Sequence, residues 1–228
     1  MIKAVIFDFD GIIVESAGIK TSAFRELFAQ DFPGKLKTII DYHIKNMGIS
    51  RFVKFRYIYE NILKLPLSKE QEEELGRKFS DIVFEKILIA PFVRGAIEFL
   101  RMNQKKYHLF IVSGTPDKEL QDILRLRQIS GLFKEAHGSP AQKSQIIKDI
   151  MNRYSLGVDE IVFVGDAESD FIASQETGVE FIARLSPDTA HLLQNAKWKI
   201  GDLQTLDSVI KDIEETKVIL KKELNKHA

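Results

Sequence analysis

The sequence predicts an α/β fold: a parallel sheet covered by helices, interrupted early by an all-helical insert. Three observations carry this reading. From Pro91 onward, short apolar runs alternate with amphipathic stretches, the rhythm of strands joined by crossover helices. Residues 16–90 keep a helical periodicity for 75 residues, too long for a single crossover, so they read as an inserted helical bundle. Three apolar runs end in polar signatures: Asp8-Phe9-Asp10-Gly11, Ser113-Gly114-Thr115, and Gly165-Asp166 with Asp170.

The elements follow in order. Lys3 to Phe7 is apolar and partly β-branched, the composition of a buried strand, and Gly11 lets the chain turn after the two acids. In the insert, Phe24, Leu27 and Phe28 recur at helical spacing. So do Phe52, Phe55, Ile58, Tyr59, Ile62 and Leu63, and later Leu75, Phe79, Ile82, Val83 and Ile87. Pro33-Gly34, Met47-Gly48 and Leu65-Pro66 punctuate them, and Ser68 with Gln71 makes a capping box. Beyond the insert the pattern predicts helices over 93–104, 117–128, 141–154 and 168–176. Strands are expected at 107–112, near 133–137, and at 161–164, 179–183 and 198–200. A last amphipathic helix runs from Leu206 to about Leu224 and fades into a frayed, charged tail.

Composition narrows the function. The 228 residues are 44% hydrophobic and 29% charged with a net charge of zero, which argues against nucleic acid or an anionic membrane as the main partner. No cysteine is present, so neither a disulfide framework nor a thiolate metal site is available. The N-terminus runs straight into a strand, and no apolar run approaches the roughly 18 residues that span a bilayer. A cytoplasmic protein is expected, a monomer or weak homodimer whose last helix packs on the core.

In a parallel sheet, ligands gather at the carboxyl ends of the strands. Asp8, Asp10 and Asp166 are therefore expected to bring three carboxyl groups to one point, a hard oxygen set that suits Mg²⁺. Lys143 opens a helix, where it faces either the same centre or solvent. Together these parts fit phosphoryl transfer. A carboxylate attacks phosphorus, a second carboxyl moves the proton, and a cation, a hydroxyl with backbone amides, and a lysine hold the charge. The small anionic partner is then a phosphorylated metabolite.

The set Asp8-Phe9-Asp10-Gly11, Ser113-Gly114-Thr115, Lys143 and Gly165-Asp166…Asp170 resembles the four motifs of the haloacid dehalogenase-like (HAD) hydrolase superfamily. The insert resembles the cap of its β-phosphoglucomutase and phosphoglycolate phosphatase branch. The resemblance implies a Rossmann-like core of residues 1–15 and 91–228 with a helical cap domain at 16–90. It implies Asp8 as nucleophile and Asp10 as acid/base, with Asp10 also giving its backbone carbonyl to Mg²⁺. Ser113 and the amides of Gly114 and Thr115 would cradle the phosphoryl oxygens, Lys143 would steady the phosphorylated aspartate, Asp166 would ligate Mg²⁺, and Asp170 would join or orient that shell. The superfamily's dehalogenases lack the second aspartate, so Asp10 argues for phosphoryl chemistry.

In the insert, Gly48-Ile49-Ser50-Arg51 resembles a stretch whose arginine grips the far phosphate in β-phosphoglucomutases. Arg51 is the first candidate for substrate selection, against a plain surface arginine. Lys20 stands where those mutases have a histidine, which favours a phosphatase over a phosphomutase. His43, Lys54 and Arg56 read as solvated face residues, and the aromatics as insert core. In the insert 13 basic residues against 10 acidic leave +3, and 20 against 23 leave −3 elsewhere, a basic lid over an acidic floor. Its hinges are expected near 14–18 and 90–95. The expected function is a Mg²⁺-dependent phosphatase for a small phosphomonoester, a sugar phosphate among the candidates. The alternatives are a phosphomutase and a non-catalytic binding protein of the same fold.

Overall fold

A computed structural model describes residues 1–186 and 190–224; the tail expected beyond Leu224 lies outside them. In chain order the elements are β1 (Ala4–Phe7), α1 (Ala17–Ala29), α2 (Leu36–Lys45), α3 (Arg51–Tyr57), α4 (Lys69–Ile89), α5 (Ala96–Asn103), β2 (His108–Pro116), α6 (Asp117–Leu126), β3 (Glu135–Ser139), α7 (Lys143–Tyr154), β4 (Ile161–Gly165), α8 (Glu168–Thr177), β5 (Glu180–Arg184), β6 (Trp198–Ile200) and α9 (Leu206–Leu224).

The strands form one parallel sheet in the order β3-β2-β1-β4-β5-β6. β1 is central because all four of its residues are apolar and fully buried, so both of its faces can be covered. Alternation sorts the strand residues into two cores. Val5, Phe7, Leu109, Ile111, Val162 and Val164 pack on one face. Ala4, Ile6, Phe110, Val112, Ile161 and Phe163 pack on the other. The chain winds outward from β1 in both directions, so the crevice at the carboxyl ends of β1 and β4 is where the strand order reverses.

Helices α1 to α4 leave the sheet after β1 and return before β2, as the long helical periodicity predicts. Phe24 sits among Phe28, Phe55 and Phe79 at centroid distances of 6.2, 5.7 and 5.0 Å, and all four rings are buried. These aromatics are insert core, as expected. The Ser68–Gln71 capping box is present, with reciprocal bonds of 3.2 and 3.0 Å that hold the start of α4. The two chain crossings lie side by side: Glu15 N–H donates to the Pro91 carbonyl and Val93 N–H to that of Ile13 (both 3.0 Å).

Four elements differ from expectation. The helix expected from 93 starts at Ala96, because Phe92 bridges Val14 in extended conformation. β2 continues through Ser113-Gly114-Thr115-Pro116 instead of ending before them. The helix of Phe52 to Leu63 is α3 followed by a π-helical turn, Ile58–Leu63, that closes at the left-handed Lys64. Helix α2, which supplies a site residue, falls between two punctuation marks, in a part of the helical insert where no apolar stripe was read. Among the described residues no helix is long and apolar enough to cross a membrane.

Candidate active site

The first acid lies immediately beyond β1. Asp8 is buried, and its Oδ1 accepts from the Phe9 amide (2.7 Å) while Oδ2 lies 3.1 Å from Lys143 Nζ. Asp166 follows β4, the neighbouring strand. Asp170, in the first turn of α8, accepts from Lys143 Nζ at 2.6 Å and from the Ala167 amide at 3.1 Å. Oxygens of Asp8, Asp166 and Asp170 lie within 4.8 Å of one another, although their residues are up to 162 positions apart in sequence.

Lys143 opens α7 and is buried, so it faces this centre and not solvent. Burial opposes its charge, but Asp170 and Asp8 outweigh that and raise the ammonium above the ordinary lysine range. Burial pushes Asp8 up to about 7; Lys143 pulls it down, while Asp170 and Asp10 add to the push. Asp166 is raised well above a normal carboxyl by burial and by Asp8 and Asp170. One lysine does not balance three buried acids, and Asp166 Oδ2 is buried without a hydrogen-bond partner. An orphaned carboxylate oxygen beside two more oxygen donors fits a divalent hard cation such as Mg²⁺.

Asp10 departs from the expected convergence. Its carboxylate turns away from the three acids, accepting from Ser16 Oγ (2.6 Å), Thr115 Oγ1 (2.9 Å) and Lys20 Nζ. Lys20 also donates to Thr115 Oγ1 at 2.7 Å. Burial pushes Asp10 up, yet Lys20's charge and the bonds from Lys20, Ser16 and Thr115 win and hold it below the usual range. The acids that meet are therefore Asp8, Asp166 and Asp170. Gly11 makes the separation possible: at φ +75 it turns the chain past Asp166, and a Cβ there would lie 2.0 Å from Asp166 Oδ2.

Ser113 and Thr115 lie at the site on β2. The Thr115 amide donates to Ser113 Oγ (3.1 Å), so it is already engaged and does not form the expected open cradle. Gly114 lies directly under the insert, where a Cβ would meet the Gly48 carbonyl oxygen at 2.3 Å. Ser169 Oγ donates to the Met47 carbonyl at 3.0 Å, pinning the same loop to the core. The insert is thus closed on the strand ends and encloses a cavity of about 40 Å³ bordered by Asp8, Asp10, Lys20, Lys54 and Gly114.

Arg51 is neither a surface residue nor free to grip an anion. Buried at the start of α3, it donates to Ser80 Oγ (2.7 Å) and Glu119 Oε1 (2.6 Å), with its guanidinium 4.4 Å from the Phe79 ring centroid. Ser80 Oγ donates to the other Glu119 oxygen (2.6 Å), so the insert and α6 share one closed network. His43 and Lys54, expected on a solvated face, are buried 3.2 Å apart beside the cavity, whereas Arg56 is exposed and paired with Glu72. A signal for Lys54 was present: Arg51, Lys54, Phe55 and Ile58 fall at i, i+3, i+4 and i+7, the inward stripe of one helical path. Glu119, Ser16 and Arg184 carried no such signal. Arg184 donates to the Gly11 carbonyl (2.6 Å) and clasps Glu15 with two bonds, bracing the loop after Asp10.

A family described as haloacid dehalogenase-like hydrolase matches residues 5–184. The phosphoglycolate phosphatase of Aliivibrio fischeri is 26% identical over 192 residues, 80% of this chain and 83% of that protein. A phosphorylated carbohydrates phosphatase of Thermotoga maritima is 27% identical over 191 residues, 79% and 83% respectively. The solved structure of β-phosphoglucomutase from Clostridium difficile superposes with a TM-score of 0.75 at 18% identity, covering 96% of this chain and all of that one, a likeness of fold.

Proposed function

The chain belongs to the haloacid dehalogenase-like hydrolases, and we propose that it is a Mg²⁺-dependent phosphatase acting on a small phosphomonoester through a phosphorylated Asp8. The observation that carries this reading is the convergence of Asp8, Asp166 and Asp170 on one buried point with Lys143. The names of the relatives, one a phosphoglycolate phosphatase and one a phosphorylated carbohydrates phosphatase, support a short phosphorylated acid or sugar phosphate as the substrate. In this reading residues 16–90 act as a cap over a core of residues 1–15 and 91–228. The cytoplasm is the proposed compartment, and a monomer or weak homodimer the proposed state.

Asp8, Asp166 and Asp170 would hold Mg²⁺, which when bound offsets the negative charge of the phosphoryl group. An Asp8 oxygen attacks phosphorus, and the ester oxygen leaves with the bond pair and takes a proton from Asp10. Asp10 is ionised while Lys20 holds it; an incoming phosphoryl oxygen that shares Lys20's ammonium raises Asp10, which then takes up the proton carried by the phosphoester monoanion. Asp10 then accepts a proton from the water that cleaves the acyl phosphate, regenerating Asp8 and releasing inorganic phosphate. The Ser113 hydroxyl, which accepts from the Thr115 amide, keeps its own hydrogen to donate to the transferring group, and Lys143 beside Asp8 would hold that group's charge. The closed insert keeps bulk water from the first step.

The experiment is phosphate release from a panel of sugar phosphates, phosphoglycolate and nucleotides, with and without EDTA. Activity lost in EDTA and in Asp8→Asn supports the proposal. Full turnover in Asp8→Asn would end it.

A further inference from the structure

Three cations of the insert line the cavity, and their counter-ions can be assigned one by one. Lys20 is matched by Asp10, and Arg51 by Glu119. Among the described residues Lys54 meets no carboxylate, although it is 3% exposed. Its partners are the His43 ring, 3.2 Å away, and the Phe24 ring, whose centroid lies 5.4 Å from Nζ. A buried ammonium with only neutral partners is a costly arrangement, and an anion entering the cavity would relieve that cost.

The surrounding bonds fix where this ammonium points. Thr21 Oγ1 donates to the Ala17 carbonyl (3.2 Å), so it accepts from His43 Nε2 (also 3.2 Å). That assigns the proton of the neutral ring to Nε2 and leaves Nδ1 to accept from Lys54. The ring stays neutral because burial, with Lys54 and Lys20 nearby, lowers it to about 2. Helices α1, α2 and α3 thus each supply part of a rigid mount that uses one Lys54 hydrogen and leaves the others for the cavity. Burial, with Lys20, Lys143 and Arg51 adding to it against Asp10, also pulls Lys54 well below the ordinary lysine range, so an anion arriving there would supply the missing counter-charge.

We propose that Lys54 is the substrate-selecting cation of this pocket: held by His43, it receives a second anionic group, carboxylate or phosphate, at the far end of the phosphoester, while Arg51 ties the insert to the core through Glu119. This rests on the phosphatase reading of the site and names the class of ester it takes: one whose leaving group is itself an anion. Selection comes from Lys54 because, of the insert cations that line the cavity among the described residues, those bound to Asp10 and Glu119 are already neutralised.

The test compares wild type with Lys54→Met, which keeps the length of the side chain and removes the charge. Turnover is measured with phosphoglycolate (far carboxylate), ethylene glycol bisphosphate (far phosphate) and 2-hydroxyethyl phosphate (far hydroxyl). Wild type is expected to prefer one or both of the first two in kcat/KM. That preference should fall on the order of 10- to 100-fold in Lys54→Met, with the hydroxyl ester changed less than about threefold. The variant should also unfold at a higher temperature than wild type, since a buried amino group without a counter-ion has gone. Calorimetry with Mg²⁺, comparing phosphonoacetate with methylphosphonate, reads the same preference without turnover. A wild type that turns over none of the esters yet binds phosphonoacetate through Lys54 would overturn the phosphatase reading alone. Equal preference in wild type and Lys54→Met, by either measure, would overturn the role of Lys54.

Discussion

Replacing Lys143 by methionine is the perturbation that most directly probes the charge balance of the site. The substitution keeps a long flexible side chain and deletes the cation lying 2.6 Å from Asp170 and 3.1 Å from Asp8. Metal-free, the cluster goes from three acids and one cation to three acids alone. Breaking a buried pair in this way costs about 3–5 kcal/mol. At about 2–4 °C per kcal/mol for a chain of this size, the melting temperature should fall by roughly 6–20 °C above neutral pH.

The pH dependence is the sharper signature. Asp8 titrates near 7 in the fold against 3.8 as a free group, so it contributes instability that grows as the pH rises between those values. Without Lys143, Asp8 moves higher still, and the loss continues beyond neutrality. The gap between wild type and Lys143→Met should therefore be small at about pH 5 and widen by about pH 8 in thermal unfolding with EDTA. A gap that is absent, or constant across this range, would refute the reasoning that Lys143 balances these acids.

Other outcomes follow from the same geometry. Mg²⁺ should raise the melting temperature of the wild type, by about 2.7 kcal/mol of stabilisation at a hundredfold excess over Kd. The gain should be larger at alkaline than at acid pH, because protons compete for Asp8 and Asp166; a pH-independent gain would place the ion elsewhere. Gly114→Ala puts a Cβ 2.3 Å from the Gly48 carbonyl oxygen, so the insert cannot seat. Its kcat/KM should fall at least ~10-fold while its melting temperature changes by no more than the ~2 °C of a surface substitution. Unchanged activity would mean that the closed contact is dispensable. In a double-mutant cycle, Arg51→Met and Glu119→Gln should show a coupling of at least about 1 kcal/mol in stability, and strict additivity would contradict the tie between insert and core.

The parts legible in the sequence were those fixed by local chemistry. A four-residue apolar run followed by Asp8-x-Asp10-Gly11 announces a buried strand ending in a site, and the 75-residue helical periodicity announces the insert. The directions of individual side chains were not legible. Asp10 turns away because Ser16, Lys20 and Thr115 offer it donors, and only the fold brings Thr115 to it from 105 positions away. Arg51 finds Glu119 across 68 positions, a partner that no local pattern marks. Lys54 and His43 read as solvated because a lone lysine and a lone histidine on separate helices usually are. Their burial results from the meeting of three helices around Phe24. Ser113 to Pro116 read as the polar end beyond a strand that stops at Val112, yet pairing with β3 at Pro116 keeps them extended.

The most direct measurement is to quench turnover of a phosphoester with acid in the presence of Mg²⁺ and locate the phosphoryl adduct by mass spectrometry of the peptide that contains Asp8. The adduct is expected on the Asp8 carboxylate, rising and decaying with turnover and absent from Asp8→Asn. Steady phosphate release with an adduct on another residue, or with Asp8 never modified, would contradict the assignment of this buried carboxylate as the group that attacks phosphorus.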